Sequence, residues 1–578
     1  MVRVIVPGGE SNSWVRCEHP REIVEAYQLG DVLPALQYIE ACVNESRLFA
    51  AGFISYEAAP AFDRALCVRE RDTKFPLLWF GIFENPEQNY ELPAADSIPS
   101  IQWQPDISRR QYDCAVQRIK QYIAAGDTYQ VNYSFRMRGR FEGDSFALFR
   151  RLVAAQPSRT AAFIETDDIA VCSASPELFF SLNGRTVVAR PMKGTMPRGL
   201  TALEDERNAE SLRASEKNRA ENVMIVDMVR NDLGRVADPG TVRVPTLFAV
   251  EKYPTVWQMT STVTAETDAS VSDILRALFP CASITGAPKV RTMHIIAELE
   301  TSPRKIYTGA IGFIAPNRRA YFNVAIRTVL ADKAKGETEY GVGGGIVWDS
   351  TAESEYSECL TKSRLLTEVR PAFELFETMR FSPRDGFFLL HEHLERLKGS
   401  VRYFDYPLDE QLLHRMLNEL DRDLRVHSHD SRVRLTLHRD GKPTFAIQPL
   451  PPSSPGCLRV KLAAAPIDAR NLFLYHKTTY RKMYDDAAAS CQDCDDVILW
   501  NERGEVTEST VANIVVELDG ALFTPPVESG LLAGTFRARL LQDGIVRERV
   551  IMKHELRTAS KLFLVNSVRG WQNATLVL

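Results

Sequence analysis

Near residue 370 the chain changes character: the helical run YSECLTKSRLLTEV closes against Arg370 and Pro371, and the strand-like FELFETMRF begins. Proline has no N–H with which to continue a helix and pushes the residue before it toward extended backbone, so a boundary belongs there. A chain of 578 residues also outgrows a single core. Domains of about 100–200 residues are usual, and two or three folding units are expected. The break divides the chain into 1–369 and 370–578.

In the first part LFAAGFISYEAA, DIAVCSASPELFFSLNG, RTVVAR, YTGAIGFIA, AYFNVAIRTVLA and YGVGGGIVWD read as strands and turns, with helical patterns in SEKNRAENVMIVDMVRNDLGRV and PKVRTMHIIAELE. The second part mixes strands (FFLL, RVRLTLHR, LRVKLAAAP, DVILWN, NIVVEL, LFLVNS) with helices (HEHLERLKGSVRYF, GTFRARLLQDG). Both patterns predict a mixed α+β or α/β class, with helices layered on large sheets.

A 45% hydrophobic and 25% charged composition is that of an ordinary globular chain. The net charge of -5 supplies no basic field for nucleic acid, so any anion site must be local. The start MVRVIVPGGESNSW has no leader-like apolar core, and runs such as FPLLWFGIF are too short for a membrane span, which leads us to expect a cytoplasmic protein. The ten cysteines are scattered, and Cys491 and Cys494 have no second pair at zinc spacing, leaving free thiols or a redox pair.

Several stretches carry candidate chemistry. Lys193 in RPMKGTMPRG is either a solvated charge in a turn-rich loop or an amine near Arg190 and Arg198, where neighbouring cations would lower its pKa and make it a nucleophile. Glu355 and Glu358 are three apart and share a helix face, and Glu221 lies in a second helical pattern. Carboxylates converging from two helices suit Mg²⁺, although a solvated acidic face has the same spacing. Gly343, Gly344 and Gly345 offer bare amides to an anion or merely a tight turn. Thr285, Gly286 and Pro288 mark a helix entrance with Lys289 and Arg291 just inside, an anion cradle or a plain cap. In the second part Lys477 and the distant Glu508 mean little alone.

Taken together, SASPELFF, RPMKGTMPRG, AENVMIVDMVRNDLGR, SITGAPKVRTM, YTGAIGFI, NVAIRT and GVGGGIVWDSTAESEYSECLTKSR resemble, in order across about residues 110–365, the chorismate-utilising family of anthranilate, aminodeoxychorismate, isochorismate and salicylate synthases. The resemblance implies a large two-sheet α/β domain. Anthranilate synthases carry a small residue where this chain has Lys193, whereas aminodeoxychorismate synthases carry lysine. It therefore implies that Lys193 adds to C2 of chorismate as the 4-hydroxyl leaves, and that ammonia then enters at C4. Glu177 would be the acid for that hydroxyl, needing a raised pKa. Glu221, Glu358 and Glu355 would hold Mg²⁺, Arg327 with Gly343 to Gly345 the substrate carboxylate, and Thr285, Lys289 and Lys362 are lesser candidates. Where relatives often show histidine, this chain reads VWQMTS with Trp257 and Gln258, so that role does not transfer. No Gly-x-Cys-x-Gly elbow appears, so ammonia is expected from a separate glutamine amidotransferase subunit or from solution. GFISYEAAPAFD is similar to the region where relatives bind tryptophan, with Ser55 and Glu57 as candidates, though a simple core strand reads the same way.

In the second part FETMRF, HLERL, HKTTYR, VTESTVANIVV, TPPVESGLLAGTFR and NSVRG resemble, over about residues 373–575, fold-type IV pyridoxal-phosphate enzymes: branched-chain and D-amino-acid aminotransferases and aminodeoxychorismate lyase. This implies a smaller α+β unit in which Lys477 carries the cofactor and moves protons, Glu508 pairs with the pyridine nitrogen, and Arg396, Gly534, Thr535 and Ser567 hold the phosphate. Pairing of two chains through this unit is a further expectation. The two resemblances together imply a bifunctional 4-aminobenzoate-forming enzyme serving folate synthesis. The alternatives are an anthranilate synthase fused to an aminotransferase, or a silent binding scaffold.

Overall fold

The computed structural model describes every residue except 1, 9–12, 71, 94–97, 99, 368–370, 453–455, 490–492 and 578. Two units emerge, one of residues 1–197 and 209–370, the other of residues 198–208 and 371–578. Among the described residues no helix is long and apolar enough to cross a membrane. Cys491 lies outside the described residues, so its pairing with Cys494 is not described.

The first unit is built on strands whose two faces are both buried. In Phe49–Ile54, Phe49, Ala51 and Phe53 join Val4, Val6, Val171 and Phe313 in one core, while Ala50 and Ile54 join another. Side chains alternate across a strand, so such a run must lie between two layers. The unit accordingly holds two ten-stranded sheets with a shared core that includes the stacked Phe49 and Phe313 rings, 5.1 Å apart. Helices Arg109–Ala124, Ser145–Ala155 and Lys289–Leu299 cover the outer face of one sheet, and Leu29–Ser46, Glu216–Gly234 and Val271–Leu278 that of the other. This is the two-sheet α/β architecture expected from the sequence.

Two strand pairings position the candidate residues of this unit. In the first sheet Glu337–Ile346 pairs antiparallel with Gln130–Arg140, Gly343 opposite Ser134 and Gly345 opposite Asn132. In the second, Met192–Pro197 pairs with Val256–Glu266, with a register shift between Met192 and Thr195. Lys193 therefore sits on an irregular strand rather than in the turn-rich loop its neighbours predict, because cross-strand pairing outweighs local turn preference.

The second unit joins a four-stranded sheet, centred on Leu375–Ser382 and Ser431–Leu437, to an eight-stranded one. Helices Leu390–Phe404 and Glu410–Leu424 bury Leu394, Leu397, Leu413 and Leu417 against the first of these. The strand expected at FFLL shrinks to Gly386–Phe387, since Leu390 already opens the helix. Segment 198–208 packs with this unit: Arg198 pairs with Asp205 at 2.7 Å and lies over the Tyr403 ring, Tyr403 Oη donates to Gly199 O, and His476 Nε2 meets Leu200 O at 3.1 Å.

Candidate active sites

A cavity of about 370 Å³ in the first unit is lined by Glu177, Lys193, Glu221, Arg327, Gly343, Gly344, Gly345, Glu355, Glu358 and Lys362, ten of the residues singled out from the sequence. Most arrive on a defined element, while Glu177 and Arg327 sit in the short segments just before strands Leu178–Asn183 and Thr328–Asp332. Glu221 rides on helix Glu216–Gly234, which Ser215 caps by accepting from Asn218 N. Glu355, Glu358 and Lys362 share one face of Ala352–Ser363, capped by Thr351.

Burial shifts two groups of the cavity in opposite directions. Glu177 is 3% exposed, accepts a 2.6 Å hydrogen bond from Ser283 Oγ, and is pushed up to about 7 by burial. It can therefore hold a proton near neutrality. Burial also pulls the Lys193 amine below its ordinary value; Glu221 opposes the shift and the Lys362 ammonium adds to it. The arginines flanking Lys193 in sequence are not the cause, since Arg190 pairs with Glu251 and Arg198 with Asp205.

The glycine run works differently from the expected turn. It lies within a strand, and a Cβ on Gly345 would come 2.5 Å from Lys193 Nζ and 2.3 Å from Gln130 Nε2, while one on Gly344 would come 3.0 Å from Glu355 Oε2. These positions are bare because other side chains occupy the space. The same geometry exposes a residue that sequence reasoning missed: Gln130 is buried beside the Lys193 amine, and neither of its amide atoms has a partner among the described residues. Gln258, to which the resemblance assigns no role, donates to Gly194 O at 2.8 Å and Asn222 Nδ2 donates to Lys193 O at 3.2 Å, so both brace the lysine strand.

Two candidates fall outside the cavity. Thr285 spends its hydroxyl on Cys281 O and Ala282 O, and Lys289 donates to Asp232 Oδ2 at 2.8 Å and to Leu278 O. Both are corrections: Thr285 closes its own preceding turn, the helix starts at Pro288 with no side-chain cap, and its cation is neutralised from the neighbouring helix. The metal expectation also changes. Glu221 faces the cavity from one helix and Glu355 and Glu358 from another, yet among the described residues no three ligands close into a metal cage. Lys362 Nζ lies 2.7 Å from Glu358 and holds its carboxyl below the usual range; burial raises that of Glu355, which accepts from Ser350 Oγ. The donors are hard oxygens on separate walls, which fits a hydrated Mg²⁺ completed by a substrate carboxylate better than a protein-only site. At the N-terminal candidate, Ser55 donates to Pro76 O and Glu57 accepts from Arg304 N, beside a void of about 10 Å³, room for a water and not for an indole.

The second unit holds its own cavity of about 340 Å³, lined by Arg396, Lys477, Glu508, Gly534, Thr535 and Ser567, all six expected residues. Lys477 is tied to the sheet by Phe376 N, which donates to Lys477 O at 3.1 Å. Desolvation and then Arg396 bring its amine down to about 8. Glu508 is buried, pushed up to about 7, and held by Tyr484 Oη at 2.7 Å, Leu532 N at 3.0 Å and Asn513 Nδ2 at 3.2 Å. Arg396 makes a two-pronged contact with Glu377, which also meets His393 Nδ1 at 2.6 Å. Burial opposes ionisation of Glu377, but Arg396 and His393 hold it down at about 2. His393 Nε2 in turn meets Ser567 Oγ and Thr535 Oγ1 at 2.9 and 3.2 Å. A cluster of hydroxyls and a guanidinium beside a helix start, with a lysine and a buried carboxyl in one cavity, fits pyridoxal phosphate. His393 and Glu377 lie within motifs read from the sequence, but their link to the phosphate candidates emerges only in three dimensions.

The comparisons with known proteins agree with this division. The chorismate binding enzyme family matches residues 10–368, and amino-transferase class IV matches residues 374–577. The chain is 44% identical over 327 residues to aminodeoxychorismate synthase component 1 of Salmonella typhimurium, covering 56% of this chain and 67% of that protein. It is 42% identical over 274 residues to anthranilate synthase component 1 of Streptomyces coelicolor, covering 47% and 53%. Anthranilate synthase component I of Streptococcus pneumoniae superposes with a TM-score of 0.55 at 24% identity, over 63% of this chain and 92% of that one, a likeness of fold. With its model spanning most of the chain and its motif residues gathered around one cavity, the chorismate binding enzyme family is the one to which this chain belongs.

Proposed function

We propose that this chain makes 4-aminobenzoate from chorismate in two reactions, one in each unit. Identity to relatives does not separate para from ortho amination, because synthases of both kinds match at similar levels. The observation that carries the reading is Lys193: a desolvated amine inside the first cavity, braced by Gln258 and Asn222 and given room by Gly345.

In the first reaction Lys193 Nζ forms a bond to C2 of chorismate, the ring double bond shifts, and the C4–O bond breaks. Glu177 gives its proton to the departing hydroxyl, which leaves as water. Ammonia then bonds to C4, the double bond shifts back and Lys193 is released, giving 4-amino-4-deoxychorismate. Arg327 and Lys362 balance the substrate's negative charge. Mg²⁺, held by Glu221 and Glu358 with Glu355 beside them, would neutralise and orient a carboxylate. The ammonia donor in this reading is a separate glutamine amidotransferase, in keeping with the component 1 names of the relatives.

In the second unit Lys477 would carry pyridoxal phosphate, Glu508 would pair with its ring nitrogen, and Arg396, Gly534, Thr535 and Ser567 would hold its phosphate. When bound, that group is an electron sink for the carbon bearing the substrate's amine. Lys477 Nζ, its pKa brought down to about 8, takes the proton from that carbon. Loss of pyruvate leaves the aromatic product.

The test is incubation of the protein with chorismate, ammonium and Mg²⁺, with and without pyridoxal phosphate, and chromatography of the products. The reading expects 4-aminobenzoate with the cofactor and aminodeoxychorismate without it. Anthranilate as the sole product overturns it.

A further inference from the structure

The second cavity carries far more positive charge than a phosphate group requires. Strand Ser431–Leu437 buries Val433, Leu435 and Leu437 on one face and sends Arg432 and Arg434 from the other, into the cavity wall. Across the ladder Arg380 stands opposite Arg432, and Thr378 opposite Arg434. Like charges set directly opposite one another on a sheet are destabilising. Arg481 and Arg569 line the same cavity and spend one donor each on the carbonyls of Thr510 and Pro451.

Among the described residues Arg432, Arg434, Arg481 and Arg569 form no ion pair with any carboxylate. The acidic side chains nearby are already engaged, Glu508 with Tyr484 and Asn513, Glu377 with Arg396, and Glu374 with His438. Desolvation, then Arg432 and Arg481, lower the pKa of Arg434, the direction expected of a cation crowded by cations. Arg434 also lies close to the reacting group: its guanidinium stacks 4.1 Å from the centroid of the Phe376 ring, over which Lys477 Nζ lies at 4.8 Å. Arg396 faces the phosphate candidates and is neutralised by Glu377, so this second group of cations is left for the substrate.

We infer that Arg434 and Arg432, with Arg481, form a binding site for two carboxylates of the amine-bearing substrate. The inference rests on the reading of the second unit as a lyase. The product proposed for the first unit has this form, a carboxylate across the ring from the amine and a second on the enolpyruvyl arm beside it. An apolar side chain there would cover the half-buried Arg434 and Arg481 with hydrocarbon and leave their charge without a partner.

The test uses the full chain loaded with pyridoxal phosphate. Lyase turnover of 4-amino-4-deoxychorismate is measured for the wild type, Arg434→Gln, Arg432→Gln and Arg434→Lys, and inhibition by benzene-1,3-dicarboxylate is compared with that by benzoate. Loss of one charge-assisted carboxylate contact should raise KM about 10- to 100-fold with kcat nearly unchanged, and Arg434→Lys should recover part of the loss. The dicarboxylate should inhibit the wild type at least about tenfold more tightly than benzoate, a preference lost in Arg434→Gln. Unchanged KM in both glutamine variants, or equal inhibition by the two anions, overturns the inference while leaving lyase turnover intact. Cofactor absorbance that responds to the dicarboxylate only when Arg434 is present, without turnover of aminodeoxychorismate, would keep the anion site and remove the lyase reading instead.

Discussion

Glu177 and Lys193 are displaced in opposite directions by the same burial, which lets the carboxyl hold a proton near neutral pH. Glu177→Gln should slow aminodeoxychorismate formation by about 10²- to 10⁴-fold, the usual worth of a placed acid. The wild-type pH–rate profile should bend downward near pH 7, where Glu177 gives up its proton, and the variant's should lack that bend. Stability should move the other way. Because the carboxyl is raised from 4.5 to about 7 in the fold, the folded state binds more protons across that window, and stability falls as pH rises through it. Urea unfolding should therefore find Glu177→Gln more stable than the wild type at pH 8, by up to about 3 kcal/mol, and indistinguishable from it near pH 4. A loss of activity joined to a gain in stability marks a group buried for chemistry.

At the level of elements, the strand Glu337–Ile346 governs the first cavity through what it lacks. Gly345→Ala would drive a methyl group to 2.5 Å from Lys193 Nζ, so we expect the first reaction to fall by at least about tenfold while lyase turnover in the second unit is retained. Separate assays of the two half-reactions check this. Much of that geometry was legible in the sequence: the shared helix face of Glu355 and Glu358 and the ordered motifs both led to residues that line one cavity. What was not legible depends on partners remote in the chain. Lys289 looked available until Asp232, 57 residues earlier, met it, and the turn-forming residues around Lys193 gave no sign that Val256–Glu266 would draw them into a sheet. Gln130 and Ser283 carry no signal of their own; a lone glutamine or serine becomes meaningful only beside the amine or the carboxyl it touches. The segment 198–208 likewise gave no hint that it packs with the second unit.

Across the whole molecule, each unit contains a cavity with a desolvated lysine and a buried carboxyl raised to about 7, the pairs our proposal assigns to ring amination and to the cofactor. The two activities should therefore separate cleanly. Lys477→Ala should leave chorismate consumption within about twofold of wild type and accumulate aminodeoxychorismate, as expected for sites with no shared partners; chromatography of the reaction mixture reads this directly. The central claim concerns the amine at 193, and the most direct measurement is peptide mass spectrometry of protein quenched after mixing with chorismate and Mg²⁺ in the absence of ammonia. The account predicts a modification with the mass of chorismate less one water, on the peptide containing Lys193, discharged on adding ammonium and absent from Lys193→Ala. An unmodified Lys193 under these conditions, together with undiminished para amination by Lys193→Ala, would contradict it.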